Sequence, residues 1–307
     1  MTTQLLTASR MSSFLACPRK HYWRYEVGLK RDTDAKALRV GTAWHSLMEA
    51  RWQGADYEAA IANAIPADLE FEEIDVATIT GLLAGYYARY GESDEVVTEL
   101  FAETEFNLPL PGSRTFNVAG KIDGIAQLSD GRLCLLEHKT TGDSVEPDSE
   151  YWLRLRFNPQ ILQYVLAAKA LGWDIETVIY DVTRKPSIRQ KKTESIEEYG
   201  DRLAQDTKDR PEFYFARREV PVLHDDIAEF EAQRLVVGRN IMFSQREERK
   251  AEKPWQAWPR NIDMMTCRMC EFSQFCLQNT NPDPEVPPAG FTKGTIHDEL
   301  ETATETK

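Results

Sequence analysis

The sequence predicts a mixed α/β fold, in which a central mixed β-sheet is flanked by helices. Apolar residues recur at helical spacing in the first third of the chain, and β-rich runs follow between about residues 96 and 140. A long amphipathic segment and a further strand come next, and a strand, a helix and a strand in this order are typical of a mixed α/β core. With 307 residues, 42% of them hydrophobic, the chain can bury a large core.

The first third is predicted to be mainly helical. Residues 12–28 form two short helical pieces, with Ser12 or Ser13 as the cap of the first and Pro18 in the first turn of the second. Two further helices are predicted at residues 42–53 and 76–90.

The pattern then changes to strands. Runs at 96–108, 116–128 and 133–140 predict an antiparallel meander, because Ser129-Asp130-Gly131 is a turn signal between the last two. A helix at 151–171, which ends at Gly172, and a strand at 177–182 follow. The remaining predicted elements are a helix at 195–208, a strand at 212–222 and a helix at 225–248.

Charge is unevenly distributed along the chain. A net charge of -13 is unusual for a protein that handles nucleic acid, because phosphate affinity comes mainly from Lys and Arg. Basic residues nevertheless cluster within 19–39 and again within 184–192. Each cluster is consistent with a solvated face and with a local path for DNA.

The sequence indicates a cytoplasmic protein with no membrane partner. No apolar run approaches the ~20 residues that cross a bilayer, and the first residues lack the order of a signal peptide. In a reducing compartment the five cysteines are poor candidates for structural disulfides, and their odd number points the same way. Metal ligation is therefore the leading use for some of them.

Two carboxylates stand at the centre of the predicted meander. Asp123 lies in Gly120-Lys121-Ile122-Asp123-Gly124, and Glu137 begins Glu137-His138-Lys139 at the end of the next strand. If these strands pair, Asp123 lies beside Glu137, and paired carboxylates suit Mg²⁺ or Mn²⁺. Charged residues at strand ends can also simply face solvent. A strand buried on both faces, however, does not normally end in Glu-His-Lys.

This arrangement resembles the core of the PD-(D/E)XK nucleases in its RecB-like form, in which G-x-x-D is followed by a hairpin and E-x-K. Gly41-Thr42-Ala43-Trp44-His45 resembles the helical G-x-x-x-H element of that branch, and Gln160-Ile161-Leu162-Gln163-Tyr164 resembles its Q-x-x-x-Y element. The resemblance implies a restriction-endonuclease-like core and a DNA nuclease.

The resemblance also implies roles for individual residues. Asp123, Glu137, His45 and the backbone carbonyl of His138 would hold one or two Mg²⁺ or Mn²⁺ ions. Lys139 would position the attacking water, and Gln160 and Tyr164 would line the site.

The cysteines form a second constellation. Cys267-x-x-Cys270 and Cys276 bring three thiolates into one segment, but the second close pair of a zinc ribbon is missing, and Cys17 is the best fourth ligand. This arrangement resembles the iron–sulfur staple of the AddB nuclease domain and of CRISPR-associated RecB-like exonucleases. The resemblance implies a 4Fe–4S cluster that joins both ends of the chain. Zinc remains an alternative, since the same thiolates bind it, and Cys134 is predicted to be a core residue.

The predicted organisation is a nuclease domain over residues 1–278, with a helical insertion at 54–95 and an acidic, disordered tail at 279–307. No P-loop motif occurs in the chain, so a helicase or recombination partner would be a separate protein.

The predicted function is hydrolysis of DNA by an exonuclease that acts on single strands or duplex ends. It would serve recombination, repair or replication, in a cell or a virus. Two alternatives stay open: a nuclease of CRISPR spacer acquisition, and a non-catalytic iron–sulfur scaffold that binds DNA.

Overall fold

The computed structural model describes residues 3–32, 36–64, 71–91, 97–297 and 300. Its strands are β1 (Gln4–Leu6), β2 (Leu29–Arg31), β3 (Val97–Pro109), β4 (Phe116–Leu128), β5 (Leu133–Thr141), β6 (Ile175–Arg184), β7 (Phe215–Pro221) and β8 (Phe291–Lys293). Its α-helices are α1 (Ala8–Ala16), α2 (Pro18–His21), α3 (Lys36–Trp52), α4 (Tyr57–Ala64), α5 (Glu73–Tyr90), α6 (Glu150–Leu155), α7 (Pro159–Ala170), α8 (Ile196–Asp209), α9 (Pro211–Tyr214), α10 (His224–Glu248), α11 (Met264–Arg268) and α12 (Ser273–Leu277).

A mixed sheet of six of the described strands forms the centre of the fold, as predicted. The order is β1-β4-β5-β6-β7, and β3 also pairs with β4. β1 runs parallel to β4 and β5 runs parallel to β6, whereas the other neighbours are antiparallel. The antiparallel meander β3-β4-β5 and the α6–α7 connection to β6 agree with the sequence pattern.

The register of two strand pairs positions the polar residues of interest. Gly124 pairs with Leu136, so Asp123 and Glu137 follow at the point where the ladder between β4 and β5 ends. In the parallel pair, Glu137 lies beside Tyr180 and His138 beside Asp181. Because side chains alternate along a strand, Glu137 and Lys139 share one face of β5 and His138 lies on the other.

Helices cover both faces of the sheet. The largest hydrophobic cluster includes Ile161 and Val165 of α7, Tyr180 and Val182 of β6, and Ile241 of α10. A second cluster joins α3, α5 and α8, with members such as Trp44, Leu47, Leu82, Tyr86 and Leu203. In the described part of the chain, no helix has both the length and the apolar character that crossing a bilayer requires.

The N-terminal helices differ from the prediction. The first helix begins at Ala8, and Thr7 caps it by accepting a hydrogen bond of 3.1 Å from the Arg10 N–H, so the caps predicted at Ser12 and Ser13 are wrong. Thr7 is preceded by β1, whose three residues are too few to show a strand pattern. Pro18 does occupy the first turn of the second helix, and a π-helix over Tyr22–Glu26 follows.

The helix predicted at 151–171 is two helices, α6 and α7. Pro159 has no N–H to donate and disfavours a helical backbone at the preceding residue, so the first helix ends before it. Asn158 then caps α7, because its side-chain oxygen accepts a hydrogen bond of 2.9 Å from the Gln160 N–H. Gly172, with φ of 97°, follows the helix end as expected.

The strand predicted at 212–222 also begins later than expected. Pro211 starts the short helix α9, which suits a residue whose φ is fixed near the helical value, and β7 begins only at Phe215.

The segment predicted as a disordered tail contains a short strand. β8 pairs antiparallel with β2, and Phe291 stacks on Phe272 with ring centroids 5.8 Å apart. One aromatic residue and a long-range strand pair contact the domain from this proline-rich segment. Residues 298–299 and 301–307 of the predicted tail lie outside the described residues.

The predicted helical insertion is helical where it is described. α4 and α5 lie within it, and both pack into the second hydrophobic cluster beside α3. Residues 65–70 and 92–95 of this segment are outside the described part.

Candidate active site

Asp123 and His45 meet where β4 and β5 separate. The Asp123 Oδ2 atom lies 3.4 Å from His45 Nδ1 and accepts a hydrogen bond of 3.2 Å from the backbone N–H of His138. The His45 side chain is 41% exposed, so its ring reaches solvent from helix α3. Two residues that are far apart in the sequence are therefore neighbours in the fold.

Glu137, Lys139, Gln160 and Tyr164 form a continuous polar chain. The Lys139 ammonium contacts Glu137 Oε1 and donates a hydrogen bond of 2.9 Å to Gln160 Oε1. The Gln160 amide nitrogen in turn donates to the Tyr164 hydroxyl at 3.0 Å. Gln160 and Tyr164 are one turn apart on α7, which brings both side chains to the same face of β5.

Gly120, the first position of the G-x-x-D element, leaves no room for a side chain. A Cβ atom there would lie 2.7 Å from Cζ of Phe106 and 2.8 Å from Cε1 of Tyr164. The rings of Phe106 and Tyr164 pack edge-on above this glycine, with centroids 5.8 Å apart. Gly120 thus allows α7 to approach β4 closely enough for Tyr164 to reach the polar chain.

The two carboxylates have opposite electrostatic environments. Burial and the nearby charge of Asp123 raise the pKa of Glu137 to about 7, and the side chain of Glu137 is only 1% exposed. Burial also acts to raise the pKa of Asp123, but the hydrogen bond and charge of His45 outweigh it and lower that pKa. The pKa of His45 is raised by the same pairing, against the effect of burial. The site therefore brings two carboxylates together with the Lys139 ammonium and the His45 imidazole.

The side chain of His138 lies on the opposite face of β5. Its Nε2 atom accepts a hydrogen bond of 2.9 Å from the indole N–H of Trp52, and its Nδ1 atom is 3.2 Å from Asp181 Oδ2. Asp181 is also 3.2 Å from the Arg217 guanidinium. Burial acts to raise the pKa of Asp181, yet the charge of Arg217 and the hydrogen bond with His138 keep it well below its usual range.

Trp52, Asp181 and Arg217 were not predicted from the sequence. One signal was present: Asp181 interrupts the apolar run of β6, where Ile179, Tyr180 and Val182 surround it. A buried strand does not normally carry a lone carboxylate.

A model of the PD-(D/E)XK nuclease superfamily matches residues 5–277. The chain belongs to the PD-(D/E)XK nuclease superfamily. Its mixed sheet with flanking helices agrees with the restriction-endonuclease-like fold, and membership implies a nuclease that hydrolyses phosphodiester bonds. Nucleases of this superfamily generally use Mg²⁺ or Mn²⁺.

Two other comparisons add little to the family assignment. No curated protein matches the chain. The crystal structure of SSO0001 is similar with a TM-score of 0.37 and 12% sequence identity, over 90% of this chain and 87% of that chain. A similarity this low assigns no function.

The four predicted cluster ligands of this superfamily member lie around one pocket. Cys17, Cys267, Cys270 and Cys276 all line it, together with residues such as Trp23 and Asn261. The Asn261 N–H lies 3.4 Å from the Cys17 sulfur, and these four cysteines are free thiols. Cys134 is fully buried within the sheet, and burial raises the pKa of its thiol to about 11, in keeping with a core residue.

No described set of side chains has complete metal-site geometry. Within the described residues, no group of three or more His, Cys, Asp or Glu side chains is arranged so that it could hold a metal ion. At the carboxylates, Asp123 pairs with His45 and Glu137 pairs with Lys139.

Proposed function

We propose that this superfamily member is a Mg²⁺- or Mn²⁺-dependent deoxyribonuclease of the RecB-like branch. The observation that carries the proposal is the convergence of Asp123, Glu137, Lys139 and His45 from three separate elements, α3, β4 and β5. Residues that merely face solvent at strand ends have no reason to meet in this way. Glu137, moreover, is buried rather than solvated.

The carboxylate site suits a hard divalent cation. Carboxylate oxygens are the ligands that Mg²⁺ and Mn²⁺ prefer. Burial, and after it the charge of Asp123, raises the pKa of Glu137, so a cation at this position would favour its ionised form. Asp123, Glu137, His45 and the backbone carbonyl of His138 would hold the ion. When bound, a divalent ion polarises the scissile phosphate and stabilises the leaving oxygen.

The remaining residues of the chain would orient the reactants. Lys139 is held between Glu137 and Gln160, so its ammonium has a fixed position from which to direct an attacking water toward phosphorus. Gln160 is in turn fixed by Tyr164. Gln160 and Tyr164 would together line the side of the site that faces α7.

We further propose that the four cysteines hold a 4Fe–4S cluster. Ligation by four thiolates suits such a cluster, and the pocket that all four line supports their shared use. The cluster would join the two ends of the chain and take no part in hydrolysis.

We also propose exonucleolytic cleavage of DNA ends in recombination, repair or replication, because the cysteine arrangement resembles that of the AddB nuclease domain. Since the chain has no P-loop motif, a motor that supplies single strands would be a separate partner.

Cleavage of end-labelled DNA by anaerobically purified protein tests the proposal. We expect single- or double-stranded linear DNA to be degraded with Mg²⁺ or Mn²⁺, weakly with Ca²⁺, whose coordination is longer and less regular, and not with EDTA. Covalently closed circular DNA should survive if the enzyme requires ends. Equal rates with all three ions would contradict the mechanism, and DNA binding without any cleavage would favour the non-catalytic scaffold.

A further inference from the structure

A group of three polar side chains lies behind β5, and these side chains have no part in the chemistry described above. It consists of Trp52 at the end of α3, His138 in the middle of the Glu137-His138-Lys139 segment, and Asp181 on β6. His138 and Asp181 are 4% and 1% exposed. These groups are therefore shielded from solvent, and their contacts with one another decide how the imidazole is oriented.

The donor of each contact can be assigned. An indole N–H can only donate, so His138 Nε2 must be the acceptor in the 2.9 Å contact with Trp52. The imidazole proton is then on Nδ1, which faces the Asp181 carboxylate at 3.2 Å. Arg217 and the Tyr86 hydroxyl contact the same Oδ2 atom of that carboxylate. The imidazole is thus held between a fixed donor and a fixed acceptor.

Helix α3 and residue His138 also contact the opposite face of β5, on which the carboxylates lie. His45 and Trp52 are seven residues apart on α3, about two turns, so they lie on one side of the helix. His45 contacts Asp123, Trp52 contacts the His138 ring, and the His138 backbone N–H donates to Asp123. α3, β4 and β5 are therefore linked in a closed set of polar contacts through both sides of His138.

We infer that Trp52, His138 and Asp181 are positioning residues that set the affinity of the carboxylate site for its divalent cation. The inference rests on the proposed function. Groups that hold metal ligands in place typically change metal affinity when they are removed, even though they do not touch the ion. Here the group fixes the distance between α3, which carries His45, and β5, which carries Glu137.

Two Trp→Phe substitutions on the same helix form a matched pair. Trp52→Phe removes the indole N–H that His138 accepts, and it keeps an aromatic ring. Trp44→Phe removes the same group from a fully buried ring whose N–H has no hydrogen-bond partner among the described residues. If packing alone mattered, Trp44→Phe would have the larger effect on every property.

The measurement is Mn²⁺ binding to the full-length holoprotein, followed by the electron paramagnetic resonance signal of free Mn²⁺, together with thermal melting. We expect Trp52→Phe to bind Mn²⁺ roughly 10-fold more weakly than wild type. Trp44→Phe should bind it normally but melt at a lower temperature. At saturating Mn²⁺, the rate of DNA cleavage by Trp52→Phe should return close to that of wild type.

Substitution of the imidazole itself gives a second test. His138→Gln keeps an amide oxygen that can accept from Trp52, whereas His138→Leu offers no acceptor, so the Gln variant should bind Mn²⁺ more tightly than the Leu variant. If Trp52→Phe bound Mn²⁺ as tightly as the wild-type protein, or if the two His138 variants bound it with equal affinity, the inference would be overturned and the proposed function would stand. A wild-type protein that binds no Mn²⁺ would overturn the proposed function and this inference with it.

Discussion

At the scale of single residues, Glu137 is a buried carboxylate with a raised pKa. Its carboxylate is buried, lies near Asp123 and has Lys139 as its cation, and its pKa rises to about 7. A carboxyl whose pKa is higher in the folded protein than in the unfolded chain binds more protons when folded. Without a divalent ion, the contribution of Glu137 to the free energy of unfolding therefore falls as the pH rises from about 4.5 to about 7.

Glu137→Gln should reverse that loss. At pH 8 in EDTA, we expect the variant to melt at a higher temperature than wild type, by on the order of 2 °C, because it removes a buried charge next to Asp123. At pH 4.5, where the wild-type carboxyl is protonated when folded, the difference should vanish. Thermal melting by circular dichroism at the two pH values measures both.

Glu176→Gln is the matched control, because Glu176 is an exposed carboxylate on β6. It should leave the melting temperature unchanged at both pH values. A Glu137→Gln variant that is less stable than wild type at pH 8 would show that the contact with Lys139 outweighs burial of the charge.

At the scale of elements, the break between α6 and α7 has a functional consequence. Because α7 begins at Pro159, Gln160 lies in its first turn and faces Lys139 at the end of β5. A continuous helix from 151 to 171, as the sequence pattern predicted, would have no N-terminus beside the active site.

Asn158→Ala should therefore affect both stability and catalysis. Loss of the cap on α7 is expected to cost about 1 kcal/mol of unfolding free energy, and the looser first turn should lower the cleavage rate through Gln160. Urea denaturation and cleavage assays measure the two effects. Asn158→Asp keeps the capping oxygen and should behave like wild type, whereas equal damage from both substitutions would argue against a capping role.

The sequence predicted those elements whose signals are local. β4 and β5 were predicted within one residue because the alternation of apolar residues and the turn at Asp130-Gly131 both lie inside the hairpin. β1 and β8 were missed, since three residues carry no periodicity and their strands form only through partners far away in the chain.

The same distinction applies to the site. Asp123, Glu137 and Lys139 could be proposed together because one hairpin carries them all. Trp52 and Asp181 could not, because their contact with His138 depends on how α3 and β6 pack on opposite sides of it.

At the scale of the whole molecule, the two ends of the chain are joined. The Arg19 guanidinium donates to the carbonyl of Trp258 at 2.9 Å, and the Asn261 amide donates to the carbonyl of Ala16 at 2.9 Å. β2 and β8 pair, and the four cysteines line one pocket nearby. A group bound there would cross-link segments that are about 250 residues apart, and its binding energy would add to folding stability.

Cys17→Ala should therefore destabilise the entire protein. We expect the variant to be colourless, poorly soluble and rapidly proteolysed, whereas Cys134→Ala, which changes a core thiol outside the pocket, should keep a brown colour. Visible absorbance with iron and sulfide analysis measures the outcome. Stoichiometric zinc without iron would refute the cluster, and full iron content in Cys17→Ala would refute its role as a ligand.

The central claim is that Asp123, Glu137 and Lys139 carry out metal-dependent cleavage of DNA. The most direct test compares Asp123→Ala, Glu137→Ala and Lys139→Ala with Glu176→Ala in Mg²⁺-dependent cleavage of end-labelled DNA, after circular dichroism has shown that each variant is folded. We predict that each of the three loses at least about 100-fold in rate, as expected when a group that stabilises the transition state is removed, and that Glu176→Ala cleaves normally. Undiminished cleavage by all three variants would contradict this assignment of the active site.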